Sequence, residues 1–227
     1  MATFDSLVKE ILPYVPGCPE ALVKSNLRSA TIEFCEKSKA YVYDLEPITT
    51  AAGTYEYEFD QPVGTSVHSI LWVIYNGDDL DPTSPRSLEL NFPDWRDRSS
   101  VPRVYLQKDA NKFWLIPVPN ATTSGSVQVS VSLKPTRTAS NIDTSFSNDY
   151  RDGLLYATLY RLLRMPSRAW TDMYAAQDYF NLFTEQVNQA EKRARSGGLG
   201  VRRLVKYKGV GLSPRKRYKR YGMEIDY

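Results

Sequence analysis

The sequence has one histidine, two cysteines and no apolar run long enough to cross a bilayer, and each shortage removes a class of function. Acid–base and nucleophilic catalysis need a titrating partner for the attacking group, and His68 is the only histidine. It stands in Gly64-Thr65-Ser66-Val67-His68, which lacks the second glycine of a nucleophile elbow. Cys18 and Cys35 have neither the spacing of a metal site nor that of a redox pair, so they read as buried thiols of a reducing compartment. Asp78, Asp79 and Asp81 sit in a turn-forming stretch without the central glycine and later glutamate of a calcium loop. Gly197, Gly198 and Gly200, like Gly209 and Gly211, follow no expected strand and open no expected helix, so they read as linkers rather than a phosphate cradle. The start, MATFDSLVKE, has no basic and apolar leader. The expectation is a soluble, non-enzymatic protein with no catalytic, metal or cofactor-binding residues and no membrane partner.

What the chain does have is a strong charge asymmetry under a net charge of +3. Residues 191–227 hold 12 Lys or Arg against 3 Asp or Glu, whereas residues 1–190 hold 17 against 23. A mildly acidic body with a basic appendage is the pattern of an interaction tail.

Hydrophobic periodicity divides the body into three stretches. Phe4, Leu7, Val8, Ile11 and Leu12 fall at helical spacing before a loop made by Pro13, Pro16 and Gly17. A second helix is expected to open near Pro19, with Val23, Leu27, Ala30, Phe34, Ser38 and Tyr41 as one stripe reaching about Tyr43. From about Thr49 the period becomes two. Expected strands are Tyr55–Phe59, Val67–Tyr75, Ser87–Asn91, Val104–Gln107, Phe113–Ile116 and Val127–Leu133, with turns at Asn76-Gly77, Asp81-Pro82, Asp109–Asn111 and Ser124-Gly125. With no helix between them, an antiparallel sandwich or small barrel follows. Helical spacing returns near Asp149 with Leu155, Leu159 and Leu162, breaks at Pro166, and resumes at Ala169, Met173, Ala176, Phe180, Phe183, Val187, Ala190 and Ala194. That last helix is expected to pack on the second one and to end at Gly197-Gly198. The fold class read from this order is α+β: a discontinuous helical domain from residues 1–48 and 146–196, an inserted antiparallel β domain at 49–145, and an extended basic arm at 197–227.

The arm carries Arg202, Arg203, Lys206 and Lys208, then Pro214-Arg215-Lys216-Arg217-Tyr218-Lys219-Arg220-Tyr221, and closes on Met223, Ile225 and Tyr227 alternating with Glu224 and Asp226. Such a segment lacks the apolar content to fold alone, and its interleaved aromatics supply contact area on docking. The candidate binding residues are Arg215, Lys216, Arg217, Tyr218, Lys219, Arg220, Tyr221, Met223, Ile225 and Tyr227. A nucleic-acid-binding tail is the alternative, against which stands the acidic body without a base-reading motif.

The stretches Val15-Pro16-Gly17-Cys18-Pro19-Glu20 and Leu27-Arg28-Ser29-Ala30-Thr31-Ile32-Glu33-Phe34-Cys35-Glu36-Lys37-Ser38, then Ala52-Gly53-Thr54-Tyr55 and Gln61-Pro62-Val63-Gly64, resemble the head-to-tail adaptor proteins of tailed phages. The specific part of the likeness covers the first third of the chain, and the rest follows in architecture. The resemblance implies a virion structural protein at the head–tail junction, assembled in the host cytoplasm. It implies a homo-oligomeric ring, commonly a dodecamer, that docks on the portal protein through the C-terminal arm. It also implies a downstream tail or gatekeeper protein as partner, and genomic DNA passing through the lumen without sequence specificity. Another neck or tail-tube ring component is the neighbouring alternative.

Overall fold

Phe4, Leu7, Val8 and Ile11 all point one way at helical spacing and are all buried, so the first helix forms where the periodicity places it. The computed structural model describes residues 2–91 and 94–196. After a two-residue strand β1 (Ala2–Thr3), α1 runs Phe4–Ile11, a 3-10 turn covers Leu12–Tyr14, and α2 runs Glu20–Ser38. Pro19 holds the N-cap position of α2. The helix ends at Ser38, not near Tyr43: Lys39 takes a left-handed conformation at φ 53°, and its N–H donates to the Cys35 carbonyl at 2.9 Å. The chain then turns extended, and the residues expected as the helix's last turn become strand β2 (Val42–Asp44).

The strands that follow are β3 (Ile48–Thr50), β4 (Glu56–Glu58), β5 (Thr65–Tyr75), β6 (Asp78–Asp79) and β7 (Asp81–Pro82). A helix, α3 (Pro85–Asn91), stands where a strand was expected. Its start is fixed locally: Pro85 opens it and the Ser84 hydroxyl accepts the Ser87 N–H at 3.2 Å. Next come β8 (Ser99–Ser100), β9 (Val104–Gln107), β10 (Lys112–Ile116), β11 (Val118–Pro119), β12 (Thr123–Pro135) and β13 (Asn141–Ile142). The chain closes on α4 (Thr144–Asp149), α5 (Arg151–Leu163) and α6 (Met173–Arg195). The long helix opens at Met173 rather than Ala169 because Asp172 caps it, accepting the N–H groups of Tyr174 and Ala175 at 3.1 and 3.0 Å. Ala169 lies exposed before the cap.

One sheet has the order β2-β12-β5-β6, with β3 following β2 along the same side of β12, and the other has the order β4-β10-β9-β7. Val127, Val129, Val131 and Leu133 of β12 meet Tyr57, Phe59, Tyr105, Phe113 and Leu115 of the second sheet in one buried cluster. The pairing is antiparallel with two exceptions, β7 with β9 and β8 with β11, which are parallel. Asn76 and Gly77, at φ 50° and 91°, make the tight turn between β5 and β6 that the Asn-Gly pair predicts. Ser124-Gly125 is no turn: it lies inside β12, where the register against β3 shifts and Gly125 takes φ +60°. Beyond the second sheet, α3 and the following loop bring Leu88 and Trp95 onto Leu106 and Ile116, with Trp95 5.3 Å from Trp114 and 5.4 Å from Tyr55.

The helices bury a separate cluster. Phe34 of α2 lies at its centre, its ring 6.1 Å from Phe146, 5.3 Å from Tyr150 and 6.3 Å from Phe183. The face of α5 that meets it carries Gly153, and a methyl group placed there would stand 2.7 Å from the Phe34 ring. The long helix packs against both α5 and α2 through Ala176, Phe183, Val187 and Ala190. Tyr41 touches both clusters, with its ring 4.9 Å from Phe146. The Lys134 ammonium on β12 reaches Glu36 on α2 at 2.6 Å.

Candidate functional site

His68 lies half-buried on β5, where two residues of that strand oppose one of β12 between the Ser132 and Leu133 pairings. Burial, and then the Lys134 ammonium, hold its pKa below the usual imidazole value, and the ring hydrogen-bonds the backbone of Glu36. The imidazole thus joins β5 to the end of α2, a structural task. Cys18 and Cys35 are both buried free thiols, with pKa pushed up by desolvation, so neither is poised as a thiolate. Asp78 and Asp79 form β6 and Asp81 opens β7; all three are exposed. Among the described residues no three His, Cys, Asp or Glu side chains gather as metal ligands would. No described helix is long and apolar enough to span a membrane.

Among the described residues, the most strongly perturbed carboxylate belongs to a helix clamp. Glu33 accepts from Lys37 at 2.6 Å, from the Tyr160 hydroxyl at 2.6 Å and from Arg161 at 2.5 Å. Burial alone would raise its pKa, but those hydrogen bonds and the Arg161 charge bring it down to about 2. The clamp fastens α2 to α5 across more than a hundred residues of sequence. Arg151 with Glu10 and Arg193 with Asp149 add pairs between other helices at 2.6 and 3.3 Å. Periodicity does not reveal these pairings, since a Glu on a helix flank looks like any solvated charge.

Several large apolar side chains of the described residues stand exposed at the surface. The edge strand β2 is exposed along its length, Val63 at the tip of the β4–β5 loop is 98% exposed, and Tyr174 and Met173 stand out from the start of α6 at 91% and 58%. Tyr14 and Tyr179 lie close enough to interact, and Tyr179 stacks on Tyr156 at 5.9 Å. The sequence marked none of these as exposed, and placed Met173 on the packed stripe of the last helix, because an apolar residue at a loop tip, strand edge or helix start carries no signal of what leaves it uncovered. The residues it did single out, Arg215, Lys216, Arg217, Tyr218, Lys219, Arg220, Tyr221, Met223, Ile225 and Tyr227, lie outside the described residues, as does the expected Gly197-Gly198 stop; α6 runs to Arg195, with Ser196 as its C-cap.

No curated protein matches the chain. The family model described as "SU10 adaptor protein" matches residues 2–203, which takes in every described helix and strand and continues past the end of α6. A match of that extent agrees with the likeness seen in the first two helices and carries it across the sheets and the returning helices: the chain belongs to the SU10 adaptor protein family, a family of phage head-to-tail adaptors.

Proposed function

We propose that this chain is a ring subunit of the virion neck, which docks on the portal through its basic arm, extends the DNA channel and offers the tail its attachment surface. Family membership gives the head-to-tail role. The observation that carries the finer reading is the separation of charge, an acidic body followed by 12 cations in the last 37 residues. Arg215, Lys216, Arg217, Lys219 and Arg220 attract and orient the arm on an acidic portal surface, because several cations on one segment speed encounter and select the sign of the partner. Tyr218, Tyr221, Met223, Ile225 and Tyr227 anchor it once their apolar area is buried. In a ring, many copies act together and effective concentration makes a weak arm strong. We further assign residues 1–48 and 146–196 to a helical domain and 49–145 to a β domain that work as distinct parts of the subunit.

The test is portal binding by a chain that stops after Ser213, lacking all ten assigned residues. Loss of attachment supports the reading. Undiminished attachment sinks it, and loss of DNA retention with attachment intact transfers the arm to the channel. Reversing Arg215, Lys216 and Arg217 slows association most at low salt, whereas removing residues from Gly222 onward speeds dissociation at any salt.

A further inference from the structure

Arg98 and Arg103 lie five residues apart, and backbone hydrogen bonds pin both against the same short stretch of chain. The Arg103 N–H donates to the Ile116 carbonyl at 2.9 Å, and the Val118 N–H donates to the Arg98 carbonyl at 3.1 Å. From there β8 runs parallel to β11, with Ser99 opposite Val118, and β9 runs antiparallel to β10, with Val104 opposite Ile116. Ile116-Pro117-Val118 spans at most about 7 Å, so the fold brings two cationic residues together on one side of the second sheet.

Between them is a pocket of about 160 Å³. Its polar side is Arg98, Arg103 and Ser100, and its apolar side is Trp95, Ile116 and Pro117. No Asp or Glu lines it. Among the described residues neither guanidinium has an ion-pair or hydrogen-bond partner, although six of the other arginines and three of the lysines are paired with carboxylates or a carbonyl. Trp95 is 2% exposed, and its ring is wedged against Tyr55 at 5.4 Å and Trp114 at 5.3 Å. That wall of the pocket is therefore in place before anything binds, which lowers the cost of filling it.

Size and chemistry together name the occupant. Small-molecule sites enclose roughly 300–1,000 Å³, so this one holds about one side chain. Two arginines and a hydroxyl, all donors, ask for an oxyanion, and the guanidinium fork matches a carboxylate with two parallel hydrogen bonds. Trp95, Ile116 and Pro117 ask for an apolar stem behind that charge. Inorganic phosphate and a phosphodiester lack such a stem, whereas the glutamate side chain has methylenes ending in a carboxylate.

We propose that the pocket between Arg98 and Arg103 is an anchor site for a partner protein, taking one exposed glutamate side chain with its carboxylate on the two guanidiniums and its methylenes on Trp95. A single buried anchor with charge-assisted hydrogen bonds is the kind of contact that dominates a protein interface. The site is separate from the arm, so it does not rest on portal docking and survives in a chain that stops after Ser213.

The experiment follows the Trp95 indole N–H by NMR in the full chain, assigned with Trp95→Phe, during titration at constant ionic strength. The probes are the capped tripeptide acetyl-Ala-Glu-Ala-amide, its Gln counterpart and sodium phosphate. A saturable shift with the Glu peptide is expected, with the Gln peptide and phosphate each about tenfold weaker or worse. Arg98→Gln and Arg103→Gln should each weaken the Glu peptide about tenfold, whereas Arg86→Gln, an exposed arginine outside the pocket, should leave it unchanged. No saturable shift, or Gln binding as well as Glu, overturns the proposal. Phosphate binding as tightly as the Glu peptide also overturns it, by giving the pocket to free or nucleic-acid phosphate. The three probes decide on the unaltered chain, so a variant that fails to fold leaves the test standing.

Discussion

The sheet core and the helical core draw on the chain differently. Every buried residue of the main sheet cluster comes from between Leu45 and Leu133, whereas the helical cluster joins Phe4–Cys35 to Ala139–Ala190. The sheets can therefore close from one continuous stretch, while the helices must bring both flanks of that stretch together. Closing so long a loop costs entropy before any contact repays it. The helical side meets that cost with close packing at Gly153 and with charged clamps between distant segments, Glu33 with Arg161 and Glu10 with Arg151. The sheet side combines apolar side chains and aromatic stacking, such as Phe59 on Phe113 at 5.1 Å, with a charged pair between neighbouring strands, Lys112 with Glu56 at 2.7 Å.

The sharpest way to break that comparison is Phe34→Ala, which empties the middle of the helical cluster. A loss of about 3–5 kcal/mol is expected from chemical denaturation. Near-ultraviolet circular dichroism of Trp95 and Trp114 should persist after the far-ultraviolet helix signal has fallen. Coincident loss of both signals would mean that the two cores melt as one.

Acid should act next, and on the helical side. Glu33 has a folded pKa of about 2 against an ordinary value of 4.5. A depressed carboxylate stabilises the fold fully above its unfolded pKa, and the contribution fades as pH falls from about 4.5 through about 2. The expected contribution is on the order of 2–3 kcal/mol. Comparing Glu33→Gln with the parent chain in denaturant at pH 7 and pH 3 checks it: the gap between them should narrow at pH 3.

Gly153→Ala would ordinarily favour a helix interior. Here it should cost about 1–3 kcal/mol, because the added methyl meets the Phe34 ring and that ring is held by Phe146, Tyr150 and Phe183. Pairing it with Phe34→Leu should recover part of the loss in a thermal melt, and an unchanged Tm in the single variant would remove the close approach from the account.

His68→Ala should be the smallest effect, about 1 kcal/mol or less, with assembly intact. Its lowered pKa means that the parent loses a little stability as pH falls below about 6.5, and the variant should lack that slope.

How much of this was legible in the sequence follows from the length of each signal. The stripes of α1, α2 and α5 were readable because each spans two or more turns on one buried face, whereas of the stripe expected in α6 only Ala176, Phe183, Val187 and Ala190 are buried and Met173 and Phe180 are exposed. Five residues such as Ser87-Leu88-Glu89-Leu90-Asn91 satisfy period two and period 3.6 about equally, so α3 read as a strand although Ser84 and Pro85 hold its start signal. The end of α2 was overrun because Lys39 closes it in a left-handed conformation without the glycine that usually announces one, and because Tyr41 falls by coincidence on the stripe. The edge of β2 was invisible for the same reason, since a strand edge is defined by which neighbour is missing. The single histidine could be read directly from composition, whereas the exposed apolar positions depend on which side chains the fold leaves uncovered.

β12 also has a mechanical meaning. Its thirteen residues pair with β5 over nine positions and with β2 and β3 on the other side, and Lys134 near its end is tied to α2. A force applied along the strand axis, from the helices toward Thr123, loads those hydrogen bonds in shear, so they must yield together. A force across the sheet peels them one at a time. The chain is therefore stiff along the line that joins its helices to its sheets and compliant at right angles to it, a directional elasticity set by one long strand.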